Sequence, residues 1–99
     1  MAITPIISAT INAVSGAGTE FTVTGAFWLF GDNFSHGESA VIERANVAGT
    51  AFVPATSKND VVGVTATPNT VYCDLPAGTY RINKSATAIA AAVGYEEVA

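Results

Sequence analysis

The chain is expected to be all-β, an antiparallel β-sandwich of about eight or nine short strands, and three observations lead there. Short runs rich in Val, Ile, Thr, Phe and Tyr recur along its 99 residues. Clusters of Gly, Pro, Asn, Asp and Ser punctuate them at close, fairly regular intervals, the spacing of a sandwich or barrel. Only 12% of the residues are charged while 49% are hydrophobic. A small domain that poor in charge is expected to hide part of its outside against other chains.

In order, strands are expected over residues 6–14, 20–24, 26–30, 39–45, 50–55, 61–66, 70–75, 79–83 and 88–98. They make one domain over 1–99, of which 1–18 can extend as an N-terminal arm. Gly16 and Gly18 loosen the link to the second strand. The 26–30 run is continuously apolar, so Phe27 and Leu29 must face one way and Trp28 and Phe30 the other. Both sides then need cover, from the second sheet on one and from a loop or another subunit on the other. Gly31-Asp32-Asn33 ends that strand.

Over 39–45, Glu43 and Arg44 fall on opposite faces, which places this strand near an edge or at a wet interface. Asn46 to Gly49 makes a hairpin loop, and Lys58-Asn59-Asp60 a polar turn. In 70–75, Val71, Cys73 and Leu75 line one face and Thr70, Tyr72 and Asp74 the other, the half-buried pattern. Pro76-Ala77-Gly78 turns the chain into 79–83. The last element is contested: Ser85 could cap a helix through the alanines that Gly94 would stop. Thr87, Ile89, Val93 and Tyr95 recur with period two, and the strand is preferred.

Composition narrows the function. The net charge is −4, and Arg44, Lys58, Arg81 and Lys84 form no patch, so nucleic acid is not an expected partner. The longest stretch of low polarity, 86–95, falls well short of the roughly 20 apolar residues of a membrane helix, and no membrane partner is expected. The start of the chain has neither the basic region nor the unbroken apolar core of an export signal. Cys73 is the single cysteine, so no intrachain disulfide forms and a reducing compartment fits.

One segment resembles an active or metal site, Gly31-Asp32-Asn33-Phe34-Ser35-His36-Gly37-Glu38. Asp32, His36 and Glu38 could ligate a divalent metal, and Ser35 beside His36 suggests a nucleophile. Sequence neighbours rarely form a working nucleophile and base, however, and a polar loop joining two strands is the stronger reading. Cys73, in step with Val71 and Leu75, reads as a small buried hydrophobe. Glu96 and Glu97 would point to opposite faces of a strand, and a solvated tail suits them better than shared acid–base work. No catalytic residue, cofactor or metal is therefore expected. Trp28, Phe27 and Phe30 could form a carbohydrate platform, but with neighbours this apolar a core or subunit interface is favoured.

Leu75-Pro76-Ala77-Gly78-Thr79-Tyr80-Arg81-Ile82 resembles the approach to a late strand in immunoglobulin-like sandwiches, where a tyrosine turns its hydroxyl back to upstream backbone. The resemblance implies a structural corner at Tyr80, and a central core position for Trp28 on its early apolar strand. The paired cysteines of that family are missing, and a jelly-roll Greek key fits the strand count equally well. More of the chain, about residues 20–95, is similar to small structural proteins of tailed bacteriophages. That likeness runs through Ala40-Val41-Ile42-Glu43-Arg44, Ala51-Phe52-Val53-Pro54, the Pro-Ala-Gly-Thr-Tyr-Arg-Ile turn and the final Ala/Val/Gly-rich strand. It implies a non-enzymatic decoration or cement protein on the capsid exterior, made in the host cytoplasm, often trimeric, and partnered by the major capsid protein.

Phe27, Trp28 and Phe30, with Ala88, Ala90 and Ala92, are then the candidate oligomer or capsid interface, aromatics acting as anchors and alanines permitting close approach. The alternative is a carbohydrate- or receptor-binding module of a tail or fibre, using Trp28, the phenylalanines or Tyr72. A third expectation is a small metal-dependent hydrolase centred on His36.

Overall fold

The structure, a computed structural model, describes residues 3–7, 16–17 and 20–98. Among them are twelve strands and no helix: β1 (Thr4–Ile7), β2 (Gly16–Ala17), β3 (Phe21–Val23), β4 (Phe27–Asp32), β5 (Ser39–Ala45), β6 (Phe52–Pro54), β7 (Thr56–Ser57), β8 (Asp60–Val61), β9 (Gly63–Thr65), β10 (Thr70–Cys73), β11 (Gly78–Lys84) and β12 (Ala92–Glu97). A front sheet runs β1-β12-β4-β10 and a back sheet β2-β11-β5-β6, with all neighbours antiparallel.

Two edges of the back sheet are each built from two strands in line. β2 and β3 share one side of β11, pairing Ala17 with Asn83 and Phe21 with Tyr80. β6 and β9 share one side of β5, pairing Phe52 with Ala45 and Thr65 with Ser39. Between β6 and β9 the chain leaves the edge as the β7–β8 hairpin, turned by Lys58 and Asn59 at φ 54° and 70°. That left-handed pair is what a two-residue type I′ turn demands. The ladder closes beneath it: the Ile42 N–H donates to Val62 and the Ala55 N–H to Ile42, at 2.8 and 2.9 Å.

With each divided edge taken as one lane and the hairpin as an excursion, the described residues lay down eight lanes, in the order 1-8-3-6 in front and 2-7-4-5 behind. This is the winding of a jelly roll, two Greek keys closed on each other. An immunoglobulin-like sandwich keeps its first two strands in one sheet, whereas β1 and β2 lie in different sheets.

The core lies between the sheets and follows the alternation of each strand. Phe27 and Leu29 of β4, Ile42 of β5, Val64 of β9, Cys73 of β10, Ile82 of β11 and Val93 of β12 are fully buried or nearly so. An aromatic cluster closes one end, with Phe21 edge-on to Phe27 at 5.7 Å and tilted on Tyr95 at 4.8 Å. Gly31 takes the third inward position of β4 because a Cβ there would stand 2.7 Å from Val64 and 3.0 Å from the Phe34 ring. Tyr80 donates its hydroxyl to the Pro76 carbonyl at 2.6 Å, the contact a tyrosine corner makes.

Several expectations need correction. Residues 85–91 form neither strand nor helix, and the last strand starts at Ala92. Here the chain crosses from the back sheet to the front, so its side chains serve two sheets in succession and a period-two pattern has no single face to describe. The Glu38 carboxylate holds the crossing, accepting the Ala88 N–H at 2.8 Å. The expected 61–66 strand is divided between β8 and β9. β5 is central, not an edge, because Glu43 has partners that let a charge sit mid-sheet. Of the expected strand over 6–14, residues 8–14 lie outside the described residues.

Candidate functional site

The two faces of β4 separate what the sequence left joined. Phe27 is 0% exposed and packs in the core, so it cannot belong to an interface with another chain. Trp28 is 40% exposed on the outer face, so it is not the central core residue expected. The register assigns the rest of that face row by row. Tyr72, Trp28 and Glu96 form one row across β10, β4 and β12. Thr70, Phe30, Gly94 and Pro5 form the next, and Asp32 beside Ala92 the third.

Antiparallel partners share a face, so these rows are a single surface. The Trp28 and Tyr72 rings meet at 5.2 Å in an edge-to-face pair, the arrangement ring quadrupoles favour. Ile3 lies over Gly94, where a Cβ would come 2.5 Å from its methyl group. With Gly94 and Ala92 as a low floor and Ile3, Pro5 and Phe30 as walls, a groove of about 480 Å³ runs along β12, with Asp32, Asn69 and Thr70 at its polar end.

Among the described residues Asp32, Asp74 and Glu96 place carboxylates on this face, and Lys58 borders it in a groove that reaches Tyr72. Glu96 Oε2 is shielded from solvent with no hydrogen-bond partner. A shielded carboxylate oxygen without a donor is a costly arrangement.

The outer face of the back sheet is the reverse. The Glu43 side chain, 8% exposed, accepts the Arg81 Nε–H at 2.7 Å and the Asn83 amide at 3.3 Å. The Arg81 guanidinium also lies 4.4 Å over the Phe52 ring, and the Thr22 and Thr79 hydroxyls bond to each other at 3.0 Å. Its polar groups answer one another.

The other sequence candidates do not assemble into a site. His36 is exposed in the β4–β5 loop, whose bends use Asn33 at φ 69° and Gly37 at φ 83°. Glu38 is committed to backbone, accepting the Ser35 N–H at 2.7 Å as well as that of Ala88. Among the described residues no group of three or more His, Cys, Asp or Glu could hold a metal ion. Cys73 is fully buried, and desolvation pushes its thiol up to about 12, far from a thiolate nucleophile.

Glu96 and Glu97 are not a solvated tail but the end of β12. Glu97 Oε1 accepts both the backbone N–H and the hydroxyl of Thr24, at 2.5 and 2.8 Å. Those bonds, the backbone one first, hold its carboxyl below the usual range.

Of the expected interface residues, the structure therefore brings Trp28, Phe30 and Ala92 onto one face. Ala88 and Ala90 remain in the crossing segment, exposed and half-buried. Ile3, Pro5 and Glu96 join the face unannounced, because only the pairing of β12 places Glu96 beside Trp28 and brings Pro5 and Ile3 to Gly94. Comparison of the chain with known protein families, with curated proteins and with solved structures finds no match.

Proposed function

We propose that the chain is a non-enzymatic virion structural protein that decorates and reinforces a capsid shell, seated through the outer face of its front sheet. The observation that carries this reading is the uncovered apolar surface there, with Ile3, Trp28 and Tyr72 exposed at 51%, 40% and 48%. Aromatic anchors around a low floor suit a docking surface. In a shell the same modest contact recurs many times, so avidity can stand in for affinity. The homo-oligomer, a trimer first of all, and the major capsid protein as partner come from the resemblance to phage decoration proteins.

Light scattering on the eluting protein, together with cosedimentation on shells assembled from the capsid protein of the same virus, tests the proposal. Trp28→Glu is expected to abolish cosedimentation, while Val47→Glu, at a fully exposed loop position, leaves it intact. A chain that stays monomeric at high concentration and never sediments with shells overturns the reading.

One observation favours a second reading, a saccharide-binding module. Asp32, Asn69 and Thr70 lie at the polar end of a groove walled by Phe30, and hydroxyl-bonding groups beside a ring suit a sugar. Glycan-array binding that disappears in Phe30→Ala would support it, and a blank array would remove it.

A further inference from the structure

We infer that the row Tyr72–Trp28–Glu96 receives a cationic side chain, an arginine first of all, from the protein surface on which this face docks. The inference rests on the docking reading and supplies its chemistry. Glu96 stands directly across from Trp28 in the β12–β4 register, and Trp28 meets Tyr72 on its other side. One Glu96 oxygen is shielded and has no donor. A carboxylate beside an aromatic pair is the combination a guanidinium satisfies, stacking on a ring and donating to the carboxylate.

Among the described residues, three of the cations are engaged elsewhere. Arg81 is bound to Glu43, Lys84 is buried and donates to the Ser85 carbonyl, and Arg44 donates to the Ala45 carbonyl. Lys58 lines a groove of about 390 Å³ with Asp60 and Asp74 that meets the row at Tyr72, on the side away from Glu96. A second copy applied through the same face is also disfavoured. A two-fold contact would bring the Asp32 and Glu96 carboxylates of both copies to one seam with no cation between them.

Trp28 is the only tryptophan, so its fluorescence reports this row alone. The free chain is titrated with N-acetyl-arginine amide, N-acetyl-norleucine amide and a glucan oligosaccharide. Arginine amide is expected to give a saturable change that weakens roughly tenfold in Glu96→Gln, the loss of a charge-assisted contact, and changes by less than about twofold in Asp32→Asn. Norleucine amide and the oligosaccharide are expected to leave the spectrum unchanged. An equal response to norleucine amide, a response to the sugar alone, no saturable response to arginine amide, or an equal loss in Asp32→Asn would each overturn the inference. Should Glu96→Gln fail to fold by its melting curve, the arginine-against-norleucine comparison on the unaltered chain decides. Because no shell is present, arginine binding without shell cosedimentation removes the shell and keeps the row, and the converse removes the row.

Discussion

The outward faces of the two sheets carry similar materials, aromatic rings beside carboxylates, and leave them in opposite states. Behind, Glu43 is held by Arg81 and Asn83, and Arg81 is covered in turn by Phe52. In front, Glu96 lies beside Trp28, which meets Tyr72 on its other side, and one Glu96 oxygen has no hydrogen-bond partner. A half-buried charge that is paired and hydrogen-bonded belongs to the fold, whereas one without a donor is a cost that the isolated domain carries. The back face is thus finished within the domain, and the front face is not.

The largest expected effect tests whether the front face is a true outside. Phe27 and Trp28 are neighbours in β4, one fully buried and one 40% exposed. Phe27→Ala should cost roughly 3–5 kcal/mol, the transfer of the ring plus the cavity it leaves. Trp28→Ala should cost about 1 kcal/mol, chiefly the lost pairing with Tyr72. Urea unfolding of the two variants measures both. Equal losses would mean that Trp28 is core and that the two faces do not differ as described.

Next in size is the ion pair behind. Arg81→Met removes the strongest donor from a Glu43 side chain that is only 8% exposed. The expected loss is roughly 2 kcal/mol, below the range for fully buried pairs because the 31% exposure of Arg81 lets water approach. The same chemical change then separates the faces by sign. Glu43→Gln should destabilise by about 1–2 kcal/mol, the charge-assisted share of its bonds. Glu96→Gln should lie within about 0.5 kcal/mol of zero or stabilise. If thermal melts show both glutamines equally damaging, Glu96 has a partner within the fold and the front face is not unfinished.

Which parts of this contrast the sequence discloses follows from what pattern can encode. Alternation correctly separates Val71, Cys73 and Leu75 from Thr70, Tyr72 and Asp74, because one face of β10 meets the core and the other does not. The 39–45 strand is legible to the residue, since Gly37 before it and Asn46 after it are turn formers in a stretch of strong strand residues. The run Phe27-Trp28-Leu29-Phe30 has no polar position to mark its outside, so its inward face becomes known only once Val64 and Phe34 pack against Gly31. Glu96 beside Trp28 is a fact of β12–β4 register, which no local pattern contains. The crossing at 85–91 carries the pattern of a strand without being one, because period two presumes one sheet. Its anchor, Glu38, is fifty residues away in sequence.

The smallest effect concerns the carboxylate next along from Glu96, and it carries a pH signature. Glu97 is bonded where Glu96 is not, tying the end of β12 to Thr24 just before β4. Its folded-state pKa is depressed below the ordinary 4.5, first by the Thr24 N–H and then by the Thr24 hydroxyl. The folded state therefore binds this proton less readily than the unfolded chain does. The contribution of Glu97 is complete above the unfolded value and is lost as pH falls through the folded one. Melting curves of the parent chain and Glu97→Gln should differ by a constant amount from neutral pH down to that window and converge below it. A gap between parent and Glu97→Gln that persists unchanged into acid would mean that the Thr24 contact acts through shape and not through charge.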